Sequence, residues 1–144
     1  MSNHLSRNHK ARNPEVQQIL DEKIDNIAGV RGAVVLSDEG VHMYWSILDD
    51  STAERRAPMA SVLGNLADRY AAEERGGAVR RVILEMEDGF VVVGRIGHHS
   101  YLALSVEQDA NLGTIAYEST LLTKRLAHVL DAELRTPAQG GANT

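Results

Sequence analysis

Ala33-Val34-Val35-Leu36 is apolar at every position rather than at every second one. A strand with one wet face alternates apolar and polar residues, so this run needs cover on both faces. It belongs to VRGAVVLSDEGVHMYWS, residues 30–46, where the apolar run meets Asp-Glu-Gly and then resumes with polar residues interleaved. The pattern predicts a hairpin with strands near 31–37 and 41–47. Gly40 can take the positive φ of the turn, and the Asp38 side chain can close it. Tyr44 and Trp45 are neighbours on the second strand and point to opposite faces, so one should be buried; core is the default for the tryptophan, and an exposed aromatic at this sheet margin would mark a contact site.

On either side the period changes to that of a helix. In NPEVQQILDEKIDNIAG, residues Val16, Ile19, Leu20, Ile24 and Ile27 share one face. Asn13 caps this helix, Pro14 suits its first position, Glu15 lies at the positive end of its dipole, and Gly29 stops it. In DDSTAERRAPMASVLGNLADRYAAEERGG, residues Met59, Val62, Leu63, Leu66, Ala67 and Tyr70 recur at helical spacing. Asp50 or Ser51 is its expected cap, with Glu54 completing a capping box with Ser51. Pro58 interrupts the early part, and Gly76-Gly77 ends it. Three strands follow as a meander, VRRVILEME turning at Asp88-Gly89 into FVVVGRI, and GHHS leading into YLALSV. A last helix runs from about Asn111 to Leu134, with Leu112, Ile115, Ala116, Leu122, Leu126, Val129 and Leu130 inward.

The order helix, two strands, helix, three strands, helix predicts an α/β (α+β) layered sandwich. Five mostly antiparallel strands take helices on both faces, which is the cover that residues 33–36 require. With 144 residues the chain has the length of one domain, placed at 14–134. Residues 1–13 read as a flexible basic arm, and TPAQGGANT places a disordered tail at 135–144.

Charge narrows the partners. The chain carries a net −5, yet the arm holds Arg7, Lys10 and Arg12 and no acid, leaving 12 basic against 20 acidic residues in the rest. An acidic body lacks the basic stripe of a nucleic-acid binder. No apolar run approaches the roughly 20 residues that span a bilayer, and the N-terminus lacks a secretory h-region. The expected address is the cytoplasm, with membrane recruitment only through partners.

Residues that could carry chemistry do not converge. There is no cysteine, hence no thiolate nucleophile and no cysteine zinc site. His98 and His99 are adjacent and diverge on a turn, His42 lies on another hairpin, and no acid sits with them at ligand spacing. His128 reads as a helix-end charge. No glycine–lysine phosphate loop and no nucleophile elbow occur, and Glu85, Glu87 and Asp88 face no opposing acid or base. The expectation is a protein without catalytic residues, cofactor or metal.

The element order together with GVRGAVVLSDEG, the hairpin VILEMEDGFVVVGRIG and DANLGTIAYESTLL resembles the Roadblock/dynein light chain family over roughly residues 17–130. The likeness is to stand-alone bacterial members, of actinomycete type, associated with small Ras-like GTPases. The resemblance implies a homodimer in which the third strand pairs with its twin and the middle helices pack together. It also implies a platform for a Ras-like GTPase, some bacterial members speeding GTP hydrolysis without an arginine finger. A sensor-kinase complex stands as a further candidate partner. A PAS-like small-ligand sensor and a purely structural dimerisation module share the element order and are the alternatives.

Two features of the residues bear on the dimer. Antiparallel pairing of two third strands about Ile83 would set Arg81 opposite Glu85 twice, each pair contributing about 0.2–1 kcal/mol. In the middle helix Ala53, Ala57, Ala60, Gly64, Ala67 and Ala71 form a small-residue stripe that would admit a second helix. The expected dimer interface is therefore Arg81, Ile83, Glu85, Ala60, Gly64, Ala67 and Ala71. Arg55, Arg56, Asp68 and Arg69, expected on the outward face of that helix, are the candidates for partner contact.

Overall fold

Each helix begins where an acceptor side chain takes up an amide that the helix leaves free. The Asn13 Oδ1 accepts from the Glu15 N–H at 2.9 Å, Asp49 Oδ1 from Thr52 N–H at 2.7 Å, and Asn111 Oδ1 from Thr114 N–H at 3.1 Å. The computed structural model describes residues 13–142, with side chains described as far as Ala132. Its elements are α1 (Pro14–Asp25), β1 (Val30–Ser37), β2 (His42–Ser46), α2 (Asp50–Glu74), β3 (Val82–Met86), β4 (Gly89–Ile96), β5 (Ser100–Glu107) and α3 (Leu112–Ala142). The expected basic arm lies outside the described residues except for Asn13. The backbone of α3 runs past the expected end at Leu134, so the expected tail is helical as far as Ala142.

The strands form one sheet in the order β2-β1-β5-β4-β3, every neighbouring pair antiparallel. The apolar run of β1 serves two cores. Ala33 and Val35 join Leu102, Leu104 and Val92 beneath α1 and α3, whose Val16, Leu20, Ile115, Leu122 and Leu126 are buried there. Val34 and Leu36 join Val93 and Tyr101 beneath α2. Tyr44 is buried in the first core, and its hydroxyl accepts the Asn13 N–H at 3.0 Å. Of the two aromatics it is the tyrosine that is buried, on the thick side of the sheet, and Trp45 is half-buried against the second core.

Three local expectations change. The cap of α2 is Asp49, not Asp50 or Ser51, because Asp49 keeps the extended backbone a cap needs while Asp50 is already helical. Glu54 therefore completes no capping box with Ser51. Ser37, not the side chain of Asp38, closes the hairpin turn: its carbonyl accepts from Gly40 N–H at 2.9 Å and its hydroxyl from Val41 N–H at 3.1 Å. The Asp38 carbonyl instead receives Ser61 Oγ at 2.8 Å and Asn65 Nδ2 at 3.0 Å, which ties the turn to α2. Pro58 lies inside α2 without ending it. A proline costs a helix interior about 3 kcal/mol, and burial of Ala53, Ala57 and Ala60 around it holds the helix through that position.

The second core is thin because α2 meets the sheet through its smallest residues. Ala53, Ala57, Ala60, Ser61 and Gly64 are its buried positions. A methyl group at Gly64 would lie 2.4 Å from the Tyr101 ring, so only glycine lets the helix rest there. We expect Gly64→Ala to destabilise the fold by about 1–3 kcal/mol in urea unfolding, against the roughly 1 kcal/mol that helix propensity alone would add. A gain in stability would show that the close contact is not a constraint.

Candidate docking surface

The sheet ends in two edges, and the chain treats them differently. At β2 the Trp45 carbonyl accepts the side-chain amide of Gln17 at 3.0 Å, so α1 covers part of that edge. At the other edge β3 pairs only with β4. Ile83, Leu84 and Met86 are 43, 43 and 41% exposed, so β3 is open on both faces as well as along its edge. Register fixes the faces. Ile83 pairs with Val92 and lies on the α3 side, whereas Leu84 pairs with Val91 and lies on the α2 side.

Arg81, just before β3, donates to Thr120 Oγ1 on α3 at 3.2 Å, while its Nε is buried and has no acceptor among the described residues. Glu85 is exposed on the strand that follows. These three expected edge residues, Arg81, Ile83 and Glu85, therefore sit together on the α3 side of a strand whose outer edge is open.

The middle helix is turned the other way round from the expectation. Ala60 and Gly64, expected against a second helix, are buried on the chain's own sheet, and Ala67 and Ala71 are half-buried beyond them. The large apolar residues face out: Met59, Val62, Leu66 and Tyr70 are 60, 64, 59 and 66% exposed. Both stripes have helical spacing, and the sheet takes the small one because Tyr101 already fills the space above β5. Arg55 and Arg69 are exposed at the two ends of the outer apolar stripe, Arg55 donating to Ser51 Oγ at 2.7 Å.

The other two expected contact residues are occupied within the chain. Arg56 turns aside and donates to Ser105 Oγ on β5 at 2.9 Å. Asp68 forms an ion pair with Arg95 of β4 and accepts from the Tyr101 hydroxyl at 3.2 Å, so it fastens α2 to the sheet instead of facing a partner. The Tyr101 hydroxyl also meets Asn65 Oδ1 at 3.0 Å, and the Arg95 guanidinium lies 4.6 Å from the centre of the Tyr101 ring.

Between α2 and the lower half of the sheet lies a groove of about 950 Å³, floored by Leu84, Met86, Val91 and Ala103. Arg31 and Arg56 line it. The sequence reading missed this groove and Arg31. Its signal was the juxtaposition of two helical stripes on one segment, which leaves part of the sheet uncovered whichever stripe faces inward. His98 and His99 are exposed on the β4–β5 turn with ring centres 6.3 Å apart, and no group of three potential metal ligands occurs among the described residues. No helix among the described residues is long and apolar enough to cross a membrane.

Burial pushes the Tyr101 hydroxyl up to about 12; the Arg95 charge opposes that rise and the Asp68 carboxylate adds to it. An unfolded tyrosine releases its proton near 10, so above that pH the unfolded chain binds fewer protons than the folded one. We therefore expect the Tyr101 contribution to be intact below about pH 10 and lost between about pH 10 and 12. Urea midpoints across that range should fall more steeply for the parent than for Tyr101→Phe.

A model of the Roadblock/LC7 domain matches residues 16–105. Among solved structures, a Roadblock/LC7 domain from Streptomyces avermitilis superposes with a TM-score of 0.75 at 25% identity, covering 79% of this chain and 96% of that one. A second Roadblock/LC7 structure from the same organism shares 30% identity over 76% of this chain and 96% of that one, with a TM-score of 0.62. MglB of Myxococcus xanthus shares the fold at 8% identity, with a TM-score of 0.75 over 83% of this chain and 90% of that one. No curated protein matches.

Proposed function

Because the chain belongs to the Roadblock/LC7 family, we propose that it acts as a homodimeric, non-enzymatic platform for a small Ras-like GTPase. The observation that carries this reading is the open β3 edge beside an outward apolar face on α2. An unpaired, flat, half-apolar edge strand templates aggregation unless something pairs with it. Antiparallel pairing of two β3 strands about Ile83 satisfies both edges and continues the sheet. It also brings Glu85 of the second copy opposite Arg81, whose buried Nε has no acceptor among the described residues. Opposite charges at such a position favour this register over a slipped one.

The GTPase docks on the paired α2 helices in this reading. Val62 and Leu66 supply the apolar centre, and Arg55 and Arg69 supply cationic ends fourteen residues apart, close to one stripe at 3.6 residues per turn. The choice of a GTPase rests on the resemblance to GTPase-associated members of the family. The platform contributes a surface and no reacting group, since the sequence has no phosphate loop of its own. Any effect on hydrolysis comes from holding the GTPase's own residues.

Two expected outcomes test the two halves of the proposal. Ile83→Pro removes a ladder donor and a cross-strand contact, and should convert the dimer into monomer or aggregate in sedimentation velocity. An unchanged dimer mass places the interface elsewhere. Arg55→Glu combined with Arg69→Glu should keep the dimer mass and lose at least tenfold in affinity for the GTPase captured by the parent protein; undiminished capture excludes the outer α2 face as its dock.

A further inference from the structure

The chain turns from β2 into α2 across Ile47, Leu48 and Asp49, and the last two have fixed tasks. Asp49 caps the helix through the Thr52 N–H. Leu48, one position before the cap, packs against the second core, to which the fourth helical residue, Ala53, belongs. That is the apolar staple that sets the angle at which a chain enters a helix. On the other side, Ser46 is buried at the end of β2. The reversal between these neighbours therefore falls on Ile47, whose φ is 71°.

Left-handed backbone is costly for an L-residue and most costly for a β-branched one, whereas glycine or asparagine takes it readily. Among the described residues, two that are not glycine hold it, Ile47 and Arg75. Arg75 is the C-cap of α2, with its N–H on the Ala71 and Ala72 carbonyls, which is a common way for a helix to end. Ile47 has no such local reason. It is 60% exposed and belongs to neither core, so the fold gains little from its side chain. A single exposed apolar residue needs no explanation, but one standing on strained backbone does.

We infer that Ile47 is an anchor for the GTPase, entering an apolar pocket of that partner beside a carboxylate that meets Arg55. The inference rests on the proposed dock on the outer face of α2 and extends it past the start of the helix. Arg55 reaches back over the first turn, donating to Ser51 Oγ at 2.7 Å and to Thr52 Oγ1 at 3.4 Å. That turn begins at Asp49, two residues after Ile47, so the cation and the apolar side chain flank the same cap. The side chain is suited to the task. A β-branched residue has few rotamers, and one held between a buried serine and a stapled leucine loses little freedom when a partner covers it. The site also leaves dimer formation undisturbed, because β2 and β3 are the two outermost strands of the sheet.

Ile47→Gly relieves the backbone and removes the side chain, so stability and binding should move in different directions. The variant's urea midpoint should equal or exceed the parent's, and its dimer mass in sedimentation velocity should not change. Its Kd for the purified GTPase that the parent captures, loaded with GDP or with a non-hydrolysable GTP analogue, should rise about tenfold or more. Ile47→Val keeps the branched side chain and the strain, and should bind between the two with the parent's midpoint. A lowered midpoint in Ile47→Gly shows that the fold itself needs the side chain and overturns the inference. Undiminished affinity overturns it as well, and the dock on α2 stands if Arg55→Glu with Arg69→Glu still loses capture. A changed dimer mass assigns Ile47 to contact with the second copy and likewise overturns it. A parent protein that binds no GTPase in either nucleotide state overturns the proposed platform and this anchor together.

Discussion

The contact between Gly64 and the Tyr101 ring sets the rest of the α2 side of the molecule. With no Cβ at Gly64, the helix settles directly on an aromatic ring whose hydroxyl ends in Asn65 and Asp68 of the same helix. Arg95 closes that polar knot from β4, and the Asp38 carbonyl joins it through Asn65 and Ser61. The β1–β2 turn, α2 and the β4–β5 hairpin are thereby held together at one end of the sheet. The helix cannot roll about its axis without lifting off the ring or breaking a half-buried ion pair. Its small residues therefore stay inside and its large ones outside.

That orientation leaves the sheet unequally dressed. Two helices and a thick aliphatic core cover one face, built from Val16, Leu20, Ile115, Leu122 and Leu126. A single helix of small side chains lies over part of the other, and the remainder is the open groove above Leu84, Met86 and Val91. The uncovered area adjoins the uncovered edge strand. In the proposed dimer, the arrival of another sheet at this border covers both deficiencies at once. In this light β3 and the outer stripe of α2 belong to a single surface.

The arginines divide that surface by task. Arg95 is structural, since its guanidinium is shared between Asp68 and Tyr101. Arg81 and Arg56 border the regions where a second copy would meet the chain, and both are held only by hydroxyl acceptors. Arg55 and Arg69 stand clear on the outer face. A body with excess acid thus keeps Arg55, Arg56 and Arg69 on one helix with no ion-pair partner among the described residues.

The architecture was legible in the sequence because periodicity is a local property. Residues 33–36 demanded two covers, the α1 residues from Val16 to Ile27 shared one face, and Asn13 with Pro14 marked a helix start, each within a few residues of chain. The orientation of α2 was not legible, because its small stripe and its large stripe both repeat at helical spacing, and hydrophobicity favours the wrong one. Only the position of Tyr101 on a strand thirty-seven residues beyond Gly64 decides between them. Asp68 likewise read as a surface charge until β4 brought Arg95 to it, and Arg31 had no visible role until the sheet placed it beside a groove. Residue type and spacing determined which elements form; the three-dimensional packing of one ring against one glycine determined which of their faces remained outside.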